Sequence, residues 1–117
     1  MAKILWVSRH SPLPSQVEAL KKLYGEGLRI QTLGPDGLSV EVIVARYREG
    51  GFRDLVCVVP LSILERLTRL GIHPLITRMR RVPLAQAELV KGGVGYKFQG
   101  YKRVRSYWLE LEDPLAN

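Results

Sequence analysis

The sequence has a single cysteine, Cys57, among its 117 residues. It can close no internal disulfide and build no cysteine-based zinc site. Histidine occurs twice, at His10 and His73. Without cysteine partners these two do not make a structural metal centre, and neither a metal nor a cofactor is expected. No apolar run approaches the roughly 20 residues that a membrane helix needs. The opening Met1-Ala2-Lys3-Ile4-Leu5-Trp6-Val7 is too short in its apolar stretch for a secretory signal and lacks a small-residue cleavage site. The expected setting is therefore cytoplasmic, with no membrane partner. Glycine-rich phosphate fingerprints are missing as well. Gly50-Gly51 and Gly92-Gly93-Val94-Gly95 match neither the dinucleotide nor the P-loop spacing. No pair of carboxylates stands near a candidate site, and no Ser-His-Asp or Cys-His arrangement can be read. These absences argue against a classical hydrolase or a cofactor enzyme.

Hydrophobic residues make up 46% and charged residues 25%, which is ordinary globular usage at one domain's length. The charge is unbalanced. Lys and Arg number 18 against 11 Asp and Glu, a net +7. Residues 1–59 carry eight basic and six acidic residues, whereas residues 60–117 carry ten and five. From Arg66 to Arg105 the ten basic residues meet one acid, Glu88. Clustering of this kind is the electrostatic footprint of a polyanionic partner.

The pattern along the chain alternates strand and helix. Ile4-Leu5-Trp6-Val7 is continuously apolar, as in a strand covered on both faces. Ser8-Arg9-His10-Ser11-Pro12-Leu13 is a polar turn, and Pro14 suits the first helical position, where its missing N–H has no partner to lose. Val17, Leu20, Leu23 and Tyr24 mark one helical face, and Gly25 stops it. Leu28–Leu33 reads as a second strand. Leu38–Tyr47 fits two periods. Leu38, Val40, Val42 and Val44 alternate as in a hairpin strand, while Val40, Ile43, Val44 and Tyr47 share a helical face. The helix is preferred because the α/β rhythm continues on both sides. Asp54–Val59 is the clearest strand, Pro60-Leu61-Ser62 opens a helix with Ile63, Leu64, Leu67 and Leu70 buried, and Ile72–Thr77 is a fourth strand. Residues 1–77 thus form a βαβ core with right-handed crossovers. Residues 78–95 read as a basic connector, a short helix over Leu84–Val90 and a glycine-rich loop. Residues 96–112 read as one long, basic, aromatic C-terminal strand. The fold class is α/β: a small Rossmann-like or flavodoxin-like domain, with a mostly parallel sheet and helices on both faces.

Two candidate sites follow. In an open α/β sheet, ligands bind beyond the carboxyl ends of the strands where strand order reverses. With order 2-1-3-4, that point brings Ser8-Arg9-His10-Ser11 and Val59-Pro60-Leu61-Ser62 together, each ahead of a helix N-terminus that favours anions. Ser8, Ser11 and Ser62 would donate hydroxyls to the ligand, although serines so placed also serve as helix caps. Arg9 offers a bidentate fork for phosphate. His10 can donate to phosphate or act as acid or base near neutral pH. Catalysis here would be metal-independent phosphodiester cleavage, with Arg9 stabilising charge and His10 moving the proton. The second site is the basic ribbon. Lys97, Lys102, Arg103 and Arg105, interleaved with Tyr96, Phe98, Tyr101, Tyr107 and Trp108, offer charge for a backbone and flat faces for stacked bases. Arg78, Arg80 and Arg81 extend it. The same strand, if it lies at an edge, would pair with its copy in a homodimer. Cys57 lies mid-strand and reads as core.

The strand ending in Ser8-Arg9-His10, followed by a helix opened by Pro12-Leu13-Pro14-Ser15-Gln16, resembles the start of small CRISPR-associated Rossmann-like (CARF-type) proteins. The likeness covers about the first quarter of the chain and a βαβ rhythm after it. It implies binding of cyclic oligoadenylates and, as in the ring nucleases of that group, their cleavage. Ser8, Arg9, His10 and Ser11, with Ser62, would then contact the ligand. The chain is shorter than typical effectors of this kind and carries no recognisable attached nuclease domain. Its partner would be a nucleotide or oligonucleotide in the first site, or a nucleic acid on the ribbon.

Overall fold

The computed structural model describes residues 1–34 and 39–106. In chain order the elements are β1 (Lys3–Val7), α1 (Pro14–Tyr24), β2 (Arg29–Leu33), α2 (Val40–Glu49), β3 (Asp54–Cys57), α3 (Leu61–Arg69), β4 (Leu75–Val82), a single 3-10 turn (Leu84–Gln86), β5 (Leu89–Lys91) and β6 (Val94–Arg103). The six strands form one sheet in the order β2-β1-β3-β4-β6-β5. The pairs β1–β2, β1–β3 and β3–β4 are parallel, and β4–β6 and β5–β6 are antiparallel. The protein is a mixed α/β fold.

Period-2 alternation divides the central strands between two cores. Leu5, Val7, Leu55 and Cys57 point to α2 and α3 and pack with Val40, Ile43, Leu64, Leu67 and Ile72. Ile4, Trp6 and Val56 point the other way and pack with Leu20 of α1 and Leu75 of β4. Both sets are apolar because β1 and β3 have helices on either side. Each fully buried side chain of this size contributes roughly 1.5–3 kcal/mol. The 40–49 segment is the preferred helix. The Ser39 hydroxyl accepts the Val42 N–H at 3.2 Å, a cap that satisfies a first-turn donor no strand would leave free. Burial of Val40 and Ile43, three residues apart, follows the helical period.

The second half of the chain departs from expectation. The sheet is mixed rather than mostly parallel. Arg78–Val82 are not a connector but the continuation of β4, which meets β3 only at Leu75 opposite Val56 and then runs on with β6. The Leu84–Val90 stretch yields one 3-10 turn and the start of β5, because Pro83 and the pull of the β6 ladder leave no length for an α-helix. The glycine-rich stretch is a tight hairpin turn: Gly92 and Gly93 both have positive φ, 59° and 75°, as a two-residue primed turn requires. The last strand ends at Arg103, and Val104–Ser106 have no regular structure. The remainder of its expected span, with Tyr107 and Trp108, lies outside the described residues. β6 has β5 beside it over Val94–Tyr96 and pairs with β4 alone from Lys97 to Arg103. A bulge between Arg78 and Met79 puts Gln99 in β6 without a partner. Gly100, at φ 151°, supplies the backbone freedom this needs.

Candidate functional site

A cavity of about 220 Å³ opens where the carboxyl ends of β1 and β3 meet the run of β4 beyond the core. Strand order reverses between β1 and β3 at this rim. The floor and walls are apolar: Trp6, Leu13, Val58, Met79 and Leu89. Ser8, His10, Ser11, Gln16 and Thr77 supply its polar groups. A smaller adjoining hollow, about 90 Å³, is lined by Ser8, Arg9, His10, Ser11, Thr32 and Gly34.

The turn that forms this rim is held by its own hydrogen bonds. Trp6 Nε1–H donates to the His10 carbonyl at 3.0 Å, and the His10 N–H donates to Ser8 Oγ at 3.1 Å. The Ser8 N–H donates to the Leu33 carbonyl at 3.2 Å, tying the turn to β2. Ser8 is buried, whereas Arg9, His10 and Ser11 are exposed. Gln16 Oε1 accepts the Leu13 N–H at 2.7 Å and so closes the start of α1. The Gln16 carbonyl accepts from Tyr101 Oη at 2.9 Å, which fixes α1 to β6. Burial raises the Tyr101 phenol well above its ordinary value. The Ser15 hydroxyl, in the first turn of α1, is buried and has no well-formed hydrogen bond among the described residues. The Glu88 carboxylate stands beside it and is held below its usual range, by Ser15 first and then by the Phe98 N–H.

Of the first candidate set, the fold gathers Ser8, His10 and Ser11 around one cavity and places Arg9 next to it. It leaves Ser62 out. That serine is exposed on the second residue of α3 and lines neither space, since α3 lies against the opposite sheet face. Trp6, Gln16, Thr77 and Met79 escaped the sequence reading. Thr77 and Met79 reach the cavity because β4 runs past β3, which no local signal announces; Trp6 and Gln16 lie in β1 and α1.

The ribbon does not assemble as one surface. Thr77 and Met79 face the cavity, so alternation along β4 sends Arg78 and Arg80 to the opposite face and Arg81 to the cavity side. Lys97 lies opposite Arg80, and Lys102 opposite Ile76, so both lysines join Arg78 and Arg80. Phe98 and Tyr101 lie on the cavity side, opposite Met79 and Thr77. Their rings meet edge to face with centroids 4.9 Å apart. Bases therefore cannot stack on these rings while touching the four cations. Arg105 lies past the end of β6, beside His73 and Arg103 in a hollow at the opposite rim.

Arg103 is engaged within the fold. Its Nη1 and Nη2 donate to Asp54 Oδ1 and Oδ2 at 2.7 and 2.6 Å, and Nη1 also donates to the His73 carbonyl at 2.9 Å. Tyr24 Oη donates to Asp54 Oδ2, and the Leu55 N–H to Oδ1 at 2.8 Å. Burial pushes the Asp54 carboxyl up; the Arg103 fork, the Tyr24 hydroxyl and the Leu55 N–H outweigh it and leave the group below its ordinary value. Arg103 is correspondingly raised by Asp54. This is a staple between the start of β3 and the end of β6. The Cys57 thiol is buried and pushed up to about 12, which leaves it unreactive at neutral pH.

Among the described residues, no helix is long and apolar enough to cross a membrane. Among those residues, too, no group of three or more His, Cys, Asp or Glu could hold a metal ion. Comparison with known protein families, curated proteins and solved structures finds no match to this chain.

Proposed function

We propose that this protein binds a nucleotide or a nucleotide unit of an oligonucleotide, with the base in the cavity and the phosphate at Arg9. The observation that carries this is the junction of an apolar cavity with an exposed guanidinium, both at the rim where strand order reverses. At about 220 Å³ the cavity is below the 300–1,000 Å³ typical of whole-ligand pockets. It suits one flat ring system rather than an entire dinucleotide. The Ser11 and Thr77 hydroxyls can read the edge of such a ring, while the Gln16 amide, held by the Leu13 N–H and by Met79 Sδ at 3.8 Å, fixes the wall beside it. The order β2-β1-β3-β4 with α1 on one face and α2 and α3 on the other supports a Rossmann-like or flavodoxin-like ancestry, in which this rim is the expected place for a nucleotide. The antiparallel β6 and β5 stand where a further parallel strand would follow.

Binding is favoured over cleavage. Among the described residues, His10 is the only titratable side chain lining the larger cavity, so phosphodiester cleavage would need a second proton-transfer group from beyond them, from the ligand or from solvent. The cyclic oligoadenylates implied by the CARF-type resemblance fit this reading as chains of nucleotide units. Titration calorimetry with adenosine and guanosine monophosphates and a cyclic oligoadenylate tests it, with product analysis of the same mixtures. Arg9→Ala removes a charge-assisted phosphate contact of roughly 1.5–3 kcal/mol, so affinity should fall about 10- to 100-fold. Met79→Trp, which fills the cavity, should abolish binding. Wild-type protein that binds none of these ligands, or an unaffected Arg9→Ala variant, sinks the reading.

We infer a homodimer through β2 rather than through the C-terminal strand. β2 ends the sheet, spans Arg29–Leu33 and carries one charged residue, Arg29, at its start. An edge so lightly charged is open to pairing with its copy. Light scattering should give twice the chain mass, and Ile30→Lys should halve it; a wild-type monomer refutes the pairing.

A further inference from the structure

We propose that the face of β4 and β6 turned away from α1 is a surface for double-helical DNA, bound through its phosphate backbone. This goes beyond the cavity reading and does not depend on it.

Arg78 and Arg80 of β4 and Lys97 and Lys102 of β6 share this face, and all four are exposed. Arg80 and Lys97 are directly opposite one another, an arrangement that destabilises a sheet when nothing negative lies between. Among the described residues, none of the four makes an ion pair. The nearby carboxylate, Glu88, accepts the Phe98 N–H at 2.8 Å; it feels the Lys97 charge through space but forms no ion pair with it among the described residues. The contrast with Arg103 is instructive, since that cation is internally neutralised and these are not. At the bulge, Arg78 and Lys102 flank a hollow of about 410 Å³ lined also by Gln99, Gly100 and Tyr101. Gly100 has no side chain to keep a phosphate from the backbone there.

The same geometry selects the kind of nucleic acid. Single-strand binders interleave cations with aromatic rings on which bases stack. Here Phe98 and Tyr101 lie on the cavity side, so the basic face offers charge without a stacking platform. An anionic membrane would favour apolar or aromatic residues beside the cations, and the rings are again on the wrong side. A duplex needs only the charge. The stretch that carries the cations is two-stranded, because β5 pairs with β6 only from Val94 to Tyr96. A two-stranded ribbon can span the wide major groove of B-form DNA between its flanking backbones. The deep, narrow major groove of A-form RNA does not offer that.

The test uses the whole chain and a 20-base-pair DNA, followed by fluorescence anisotropy from 50 to 300 mM salt. Four phosphate contacts predict a slope of log K against log salt of about −4. The double variant Arg80→Glu/Lys97→Glu should lose at least about tenfold in affinity and bring the slope to about −2. Arg46→Glu/Arg48→Glu, an equal charge change on exposed residues of α2, should alter binding less than threefold. Circular dichroism establishes that both variants fold; if the first does not, the single variants Arg78→Ala and Lys102→Ala replace it, each expected to reduce the slope by about 1. Four results overturn the proposal. They are no duplex binding, equal losses from the α2 control, single-stranded DNA or duplex RNA bound as tightly as duplex DNA, and binding to vesicles of phosphatidylserine and phosphatidylcholine in place of DNA.

Discussion

At the scale of single residues, burial decides which charges are free to act. Arg103 and Lys102 are neighbours in β6 with similar local sequence, yet they do different work. Arg103 lies opposite Leu75, on the face that holds Tyr24, and meets Asp54; Lys102 meets solvent. The Asp54 pair has a pH signature. Folding lowers the Asp54 carboxyl below its ordinary value of 3.8, so the unfolded chain takes up the proton first as pH falls. The stabilisation is complete above about pH 4 and disappears as pH drops through the lower, folded value. Arg103→Ala leaves a buried carboxylate with only Tyr24 and the Leu55 N–H. Asp54 is buried but the Arg103 side chain is 40% exposed, so solvent screens the pair and its loss costs about 1–2 kcal/mol at neutral pH. Urea unfolding of both proteins from pH 7 to pH 2 should show a gap that narrows as pH falls below 3.8, the ordinary value, toward the lower, folded one. A gap independent of pH would mean that Arg103 acts by packing its stem, not by pairing with Asp54.

At the scale of elements, legibility tracked how local the determining interaction is. β1, α1, β2, β3 and α3 could be read because their signals lie within a few residues: an apolar run, a Pro at the first helical position, a helical stripe. The 40–49 segment carried both periods at once. Ser39 settles it, since its hydroxyl caps the Val42 N–H at a position where a strand would need no cap. Arg78–Val82 was illegible for the opposite reason. Its alternation of arginines with Met79 and Val82 becomes a strand only because Tyr96–Gly100, some 20 residues on, supplies the ladder. Once that pairing was missed, the faces were missed with it. One mixed surface of Tyr101 and Lys102 is incompatible with the alternation that separates adjacent strand residues. Even strict alternation would have failed across Gln99, because the bulge lets Phe98 and Tyr101, three apart, share a side. The candidate site was half legible. The Ser8–Ser11 turn follows β1 directly in sequence, whereas Thr77 and Met79 reach the cavity through that same non-local pairing. Ser62 follows a strand end and opens a helix, which is the basis for expecting it at this rim, but α3 packs on the sheet face opposite α1.

At the scale of the whole molecule, the sheet joins two units of unequal support. β1 and β3 are interior strands with apolar cores on both faces and partners on both sides. The β4–β6–β5 ribbon is joined to them near its Leu75–Arg103 end, by one β3–β4 register position and by the Arg103–Asp54 staple. Leu75, Ile76 and Tyr101 pack on the two cores, and Gln16–Met79 and Tyr101–Gln16 bonds tie the ribbon to α1. β5 itself is three exposed residues at the free edge. Local opening free energy follows buried apolar contact, so the two units should exchange amide hydrogens at different depths. Amides of Leu5–Val7 and Leu55–Cys57 should exchange only through global unfolding, with a denaturant dependence equal to that of the whole protein. Amides of Leu89–Lys91 and their partners in β6 should exchange at least about tenfold faster, through an opening with little denaturant dependence. Because Met79 and Leu89 form one wall of the cavity, a nucleotide seated there would bridge the units and slow the ribbon while leaving β1 unchanged. Hydrogen exchange with and without the tightest-binding nucleotide reads both effects. Uniform protection across the six strands would show that the ribbon is no separate unit and would remove the physical basis for that coupling.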